Sequence, residues 1–275
     1  MKIFDSQMHC FYPNTPARPW PAGATSPHGP EFTIEQALAL MDEHGVQGVA
    51  VVPPSWNGWD NEYSLEAARR LPTRVAVMGR FDFQAPDAKE RLRTYRDQPG
   101  MLGTRFFISG QPWETLLAAE QDWVWTIAEE TRLPVMAHIP GNIAGFAPIL
   151  ERHPELRLII DHAGRHPRGA QDEGAWADED QLMALARYKN VGVKVSSLPC
   201  FSTQAYPFPN LHAPIRRIYD QFGPQRMMWG SDKTRLSCSY GENIRLFTEA
   251  LDFLSVEDQE WIMGKALLQA LDWKA

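Results

Sequence analysis

Short apolar runs alternate with segments of helical spacing along the whole chain. Runs rich in β-branched and apolar residues begin at Ile3, Val46, Arg74, Leu102, Pro134, Leu156, Val191 and Arg226, and each is short enough for one buried strand. Between them lie helical patterns over residues 33–45, 63–71, 87–96, 114–131, 143–152, 179–189, 212–222, 242–254 and 256–271. The first helix has Thr33 at a capping position and Gln36 three residues on, the spacing of a capping box. Eight strands with helices between them predict an α/β fold, a (β/α)8 TIM barrel. With 275 residues and no low-complexity linker or charge block, the chain reads as a single domain over 1–275.

Residues 13–30 interrupt this rhythm. The segment is rich in proline and glycine and holds Arg18, Trp20 and His28, so it reads as a long loop over the strand-one end of the barrel, with Trp20 as part of an ordered cover. No glycine-rich dinucleotide or phosphate fingerprint follows any strand, which disfavours a doubly wound nucleotide-binding fold.

Composition narrows the partners. No apolar run is long enough to span a bilayer, and the amino terminus carries a strand pattern where a signal peptide would have basic and apolar regions. Three dispersed cysteines, Cys10, Cys200 and Cys238, give no disulfide or zinc-finger framework. These features lead us to expect a cytoplasmic protein, with Cys10 as packing. A formal net charge of −7 without a basic stripe argues against nucleic-acid and anionic-lipid partners. An anionic small molecule must then meet locally placed arginines.

In a barrel the carboxyl ends of the strands converge on one face, and the polar residues there form a coherent chemical set. Strand one, residues 2–11, ends in Gln7 and His9, two apart and therefore on one side. Strand four carries Arg105, strand five ends in His138, strand six in Asp161-His162, strand seven carries Lys194 and Ser196, and strand eight ends in Asp232. A lone histidine is more often a hydrogen-bonded core residue than a ligand. Three histidines and an aspartate at separate strand ends point to chemistry.

These stretches resemble the amidohydrolase superfamily, in its branch of carbon–oxygen lactonases such as the 2-pyrone-4,6-dicarboxylate type, and related decarboxylases. Asp5-Ser6-Gln7-Met8-His9 is similar to the strand-one HxH motif with its first histidine replaced. Ile160-Asp161-His162-Ala163-Gly164-Arg165 is similar to the strand-six DHxGR stretch, and Trp229-Gly230-Ser231-Asp232 to the strand-eight WG[ST]D motif. Gly103-Thr104-Arg105-Phe106 adds a strand-four match, and the resemblance covers nearly the whole chain. Strand eight continues as Lys233-Thr234-Arg235 where relatives often have Trp-Pro-His, which implies a different substrate pocket.

The resemblance implies a hydrolase opening the lactone of a small carboxylated compound. Asp232 would be the general base, His9, His138 and His162 would polarise the carbonyl, and Arg105 would hold a substrate carboxylate. Gln7, Lys194, Ser196, Arg235 and Trp20 complete the expected substrate contacts. If a divalent metal takes part, the resemblance implies His9, His138 and Asp232 as ligands, with zinc suited to two imidazoles. His138 favours such a metal, whereas the neutral amide of Gln7 disfavours it. The same scaffold leaves open a nonoxidative decarboxylase of an aromatic or dienoic acid, and a binding protein on a decayed barrel. Either a monomer or a homo-oligomer is compatible with the sequence.

Overall fold

The computed structural model describes residues 1–108 and 113–275. Eight parallel strands form one sheet in sequential order: β1 Ile3–Met8, β2 Val46–Val51, β3 Val75–Gly79, β4 Met101–Phe107, β5 Val135–His138, β6 Leu158–Ile160, β7 Val191–Ser196 and β8 Met227–Gly230. The helices between them are α1 Ile34–Glu43, α2 Glu62–Arg70, α3 Ala88–Arg93, α4 Asp122–Glu130, α5 Ala147–Arg152, α6 Glu179–Leu185 and α7 Pro209–Phe222, followed by α8 Tyr240–Arg245, α9 Val256–Glu260 and α10 Ala266–Leu271. Thr33 caps α1 with the reciprocal Gln36 bond that the sequence predicts. Covered on both faces, the strands read as apolar runs with little alternation of polarity.

Strand parity divides the core into two. Val49, Val51, Val75, Val77, Val135, Leu158, Val191, Val193 and Trp229 pack outward against the helices in one buried cluster. Phe4, Ala50, Ala76, Met78, Met136, Ile159 and Met228 form the other cluster with Leu267, Leu271 and Trp273 of the carboxyl-terminal segment. These inward residues fill the lumen, and the Trp273 ring meets Phe4 edge-on at 5.3 Å. The lower end of the barrel is therefore plugged. Continuing the inward parity toward the upper end brings Arg105, His138, Lys194 and Ser196 into the lumen, each two residues beyond an inward neighbour.

Strand β1 breaks this parity once. Asp5 aligns with Val49 and Met8 with Val51, so β1 spends one extra residue there, as a bulge does. Phe4 faces the lumen below the bulge, and Gln7 and His9 face it above. The sheet closes at the β8–β1 seam by specific bonds in place of a ladder among the described residues. Asp232 N–H donates to Gln7 O at 2.8 Å, and Asp5 Oδ1 accepts from the N–H groups of both Gln7 and Ser231 at 2.9 Å. Tyr240 donates its hydroxyl to Asp5 Oδ2 at 3.1 Å. Asp5 thereby fastens the two strand ends that carry Gln7 and Asp232.

Several boundaries differ from the sequence reading. The helix expected over 114–131 is two 3-10 turns, Trp113–Leu117 and Ala119–Gln121, followed by α4, because Ala118 is extended. Residues 242–254 and 256–271 contain π turns at Leu246–Ala250 and Trp261–Lys265. Strand six ends at Ile160, two residues before His162, where the chain enters the left-handed region at His162 (φ 52°) and Ala163 (φ 50°). Among the described residues no helix is long and apolar enough to cross a membrane.

Candidate active site

The upper end of the barrel holds a pocket of about 420 Å³. His9, Arg105, Phe107, His138 and His162 line its walls, and Thr25, Pro27, His28, Trp56, His166, Arg168 and Arg235 border it. Thr25, Pro27 and His28 come from the expected covering loop. Trp20 supports that cover from behind, with its ring 4.4 Å from Trp56 and its indole N–H donating to Tyr12 O.

Left-handed backbone gathers at this end. His162, Ala163, Ser197 (φ 59°) and Asp232 (φ 50°) follow β6, β7 and β8, and each costs an L-residue about 1–2 kcal/mol. Such strain persists where surrounding contacts enforce it and clusters at functional sites. At Asp232 the enforcing contact is its own N–H bond to Gln7 O.

Asp232 is fully buried, and its two oxygens differ. Oδ2 accepts the Ser197 hydroxyl at 2.7 Å and lies 3.8 Å from both His162 Nε2 and Arg235 Nε. Oδ1 has no hydrogen-bond partner among the described residues and stands 3.4 Å from His9 Nε2. Burial opposes its ionisation, but His162, His9, Arg235 and the Ser197 hydroxyl outweigh burial and hold the carboxyl below its usual range.

The His9 tautomer follows from its neighbours. Nδ1 is 2.8 Å from Val52 O, which can only accept, so Nδ1 carries the proton. Nε2 presents a lone pair, 3.2 Å from the Gln7 amide nitrogen. Lys194 donates to Gln7 Oε1, which fixes the amide so that its NH2 faces His9. Burial, opposed by Asp232, lowers the His9 pKa to about 3. His9 is therefore neutral and an acceptor, and in this state it cannot donate to a carbonyl as the sequence reading expected.

Lys194 and Gln7 are fully buried beneath the pocket, as is Ser196. Lys194 Nζ lies 3.0 Å from Asp161 Oδ1, and Arg105 Nε donates to Asp161 Oδ2 at 2.9 Å. Burial would raise the Asp161 pKa, but Lys194 and Arg105 hold it well below the usual carboxylate range. Ser196 Oγ is 2.8 Å from His162 Nδ1, and burial lowers the His162 pKa to about 4. The His138 ring stacks on Phe107 at 4.9 Å and stands 5.2 Å from the His162 ring, and burial lowers its pKa as well. Expected substrate contacts at Gln7, Lys194 and Ser196 thus stand one layer lower, where they set the orientation of His9 and His162.

The sequence reading did not single out Ser197, Asp161, Trp56, Phe107, His166 or Arg168 as site residues. Asp161 sat beside His162 at a strand end, and Ser197 next to Ser196, but neither position announces an ion pair or a bond to Asp232 without the fold.

His9, His138 and Asp232 can be tested as metal ligands on this geometry. The His9 lone pair already faces the Gln7 amide, which Lys194 holds in place, and His138 is packed flat on Phe107. Among the described residues no group of three or more His, Cys, Asp and Glu side chains is arranged to hold a metal ion. The donors present do not fit a three-ligand centre.

The chain is similar to known proteins over most of its length. L-fucono-1,5-lactonase of Burkholderia ambifaria is 28% identical over 237 residues, 81% of this chain and 78% of the relative. 4-Sulfomuconolactone hydrolase of Hydrogenophaga intermedia is 26% identical over 236 residues, 83% and 73% of the two chains. A solved amidohydrolase of Burkholderia multivorans with zinc bound superposes with a TM-score of 0.82 at 20% identity, covering 99% of this chain and 100% of that one. The barrel is thus that of amidohydrolases, and these two curated relatives are named as a lactonase and a lactone hydrolase. The amidohydrolase family model matches residues 4–266, and the chain belongs to that family of hydrolases.

Proposed function

We propose that the protein hydrolyses the lactone of a small carboxylated compound, with Asp232 as general base and without a metal. The observation that carries this reading is the free Oδ1 of Asp232, a buried, ionised acceptor that the surroundings leave without a hydrogen. A water donating to Oδ1 loses its proton there as its oxygen attacks the lactone carbonyl. When the ring C–O bond breaks, the same proton passes to the leaving oxygen, so that the product is a ring-opened hydroxy acid.

His162 supplies the carbonyl contact in this reading. With the Ser196 hydroxyl donating to Nδ1, the proton of the neutral ring sits on Nε2 and serves the developing oxyanion. His138, neutral beside it, shapes the wall with Phe107. Arg105 keeps its Nε on Asp161 and offers the rest of its guanidinium to the substrate carboxylate. The lactone-opening relatives support the reaction class.

The test is turnover on a panel of carboxylated lactones, read as proton release and as a product heavier by one water, beside a panel of aromatic and dienoic acids read as carbon dioxide release. Ring opening supports the reading, and carbon dioxide release without ring opening overturns it.

A further inference from the structure

The loop after β1 is fastened firmly at both ends and loosely in the middle. On one side, Trp20 packs its ring on Trp56 and donates its indole N–H to Tyr12 O, and Thr15 and Arg18 exchange backbone hydrogen bonds. Arg18 also donates to both carboxyl oxygens of Glu66 on α2. On the other side, Phe11 and Phe32 exchange backbone hydrogen bonds just before Thr33 caps α1.

Residues 24–28, between these anchors, are held by much less. None of the five is buried, and none belongs to either apolar cluster of the core. Ala24 N–H donates to Pro21 O at 2.9 Å and His28 N–H to Ser26 Oγ at 3.1 Å, both within the loop. Among the described residues one hydrogen bond ties the segment to the rest of the barrel: His28 donates its ring N–H to the Thr234 backbone carbonyl, on the loop after β8. Thr234 stands next to Arg235, which borders the pocket as Thr25, Pro27 and His28 do, so this bond joins two loops at the mouth.

Gly23 (φ 77°) and Gly29 (φ 94°) bound the segment. A Cβ at either would meet nothing within 4 Å, so crowding does not account for the glycines; what they supply is left-handed backbone and torsional freedom. Segments with few buried contacts open at low free energy, and a hinge needs residues that absorb large backbone rotations.

We propose that residues 24–28 are a lid over the pocket, which swings on Gly23 and Gly29 and is latched shut by the bond from His28 to Thr234. A small molecule enters and leaves with the latch open, and the closed lid shields it from bulk water. The lid governs access to the pocket, so the inference holds for whichever reaction runs there and does not rest on the lactonase reading.

Amide exchange of the full chain, read residue by residue by NMR and corrected for free-peptide rates, tests this without turnover. The Ala24 bond to Pro21 O spans Gly23 and breaks when that hinge turns, so Ala24 reports opening. In the wild-type protein Ala24 should be protected at least tenfold less than Phe11 and Phe32, the bonded anchors. His28→Ala should lower the Ala24 protection about fivefold further, the net worth of one hydrogen bond, and leave Phe11 and Phe32 unchanged. Because His28 lies outside the core, the substitution leaves folding intact. Ala24 protected as strongly as the anchors, Ala24 protection unaltered by His28→Ala, or a loss that spreads to Phe11 and Phe32 overturns the proposal.

Discussion

His9 Nε2, which carries no proton, stands 3.4 Å from the free oxygen of Asp232 without bonding to it. Were Nε2 protonated, the pair would close into an ion pair and occupy the oxygen that, in the proposed reaction, accepts from water. Val52 O holds the proton on Nδ1, and the Gln7 amide, set by Lys194, points its NH2 at Nε2. A chain running from Asp161 through Lys194 and Gln7 to His9 thus leaves Oδ1 of Asp232, the proposed base, without a bond from His9.

Lys194 should be the most sensitive member of that chain for stability. Lys194→Met removes the ammonium from a fully buried pair and leaves Asp161 with Arg105 alone. Breaking a buried pair costs about 3–5 kcal/mol, and urea denaturation should show a loss of that order. A loss below about 1 kcal/mol would mean that the ammonium is not held as described.

Much of this was legible in the sequence, and the reasons are physical. Eight apolar runs fixed the barrel, because a strand buried on both faces must be apolar, and the strand-end rule brought His9, Arg105, His138 and His162 to one pocket, with Asp232 buried behind His9. The layering was not legible. Whether Lys194 touches substrate or lies under Gln7 depends on how far up the lumen each strand reaches, and on the β1 bulge between Asp5 and Met8. The role of Ser197 depends on a left-handed backbone that no residue pattern at 196–197 announces.

Stability should rise with pH between about 4.5 and 6. A buried histidine with a lowered pKa binds fewer protons folded than unfolded, so His9 (about 3), His162 (about 4) and His138 each cost stability as pH falls below 6.5. Asp5 acts oppositely: burial raises its pKa to about 6, so it binds more protons folded and costs stability as pH rises through that value. Lowered histidines outnumber the one raised carboxyl, so unfolding near pH 5 takes up protons on balance. Asp5→Asn keeps an acceptor for the Gln7 and Ser231 N–H groups and should steepen the slope by about one proton. Denaturation across this pH range reads both slopes, and a slope unchanged by the substitution would exclude Asp5 as the opposing group.

Arg105→Lys should act on binding more than on turnover. A lysine can pair with Asp161 or with substrate but cannot offer the planar fork that serves both. KM for a carboxylated lactone should rise roughly tenfold with kcat changed less, as steady-state kinetics would show.

Chelation separates the metal-free reading from a zinc-dependent one. Because the His9 lone pair faces the Gln7 amide and the candidate ligands form no three-ligand group, activity should survive exhaustive chelation, with metal content well below one per chain by elemental analysis. Loss of activity restored by added zinc would contradict this.

The central claim is that Asp232 takes the proton of the attacking water, and the turnover of Asp232→Asn on a lactone opened by the wild-type protein measures it most directly. The amide keeps the size of the side chain and can still accept from Ser197, so the fold should hold, as thermal unfolding would verify. The account predicts a fall in kcat of roughly 10² to 10⁴-fold with KM little changed. A folded Asp232→Asn protein that opens the lactone at near the wild-type rate would contradict it.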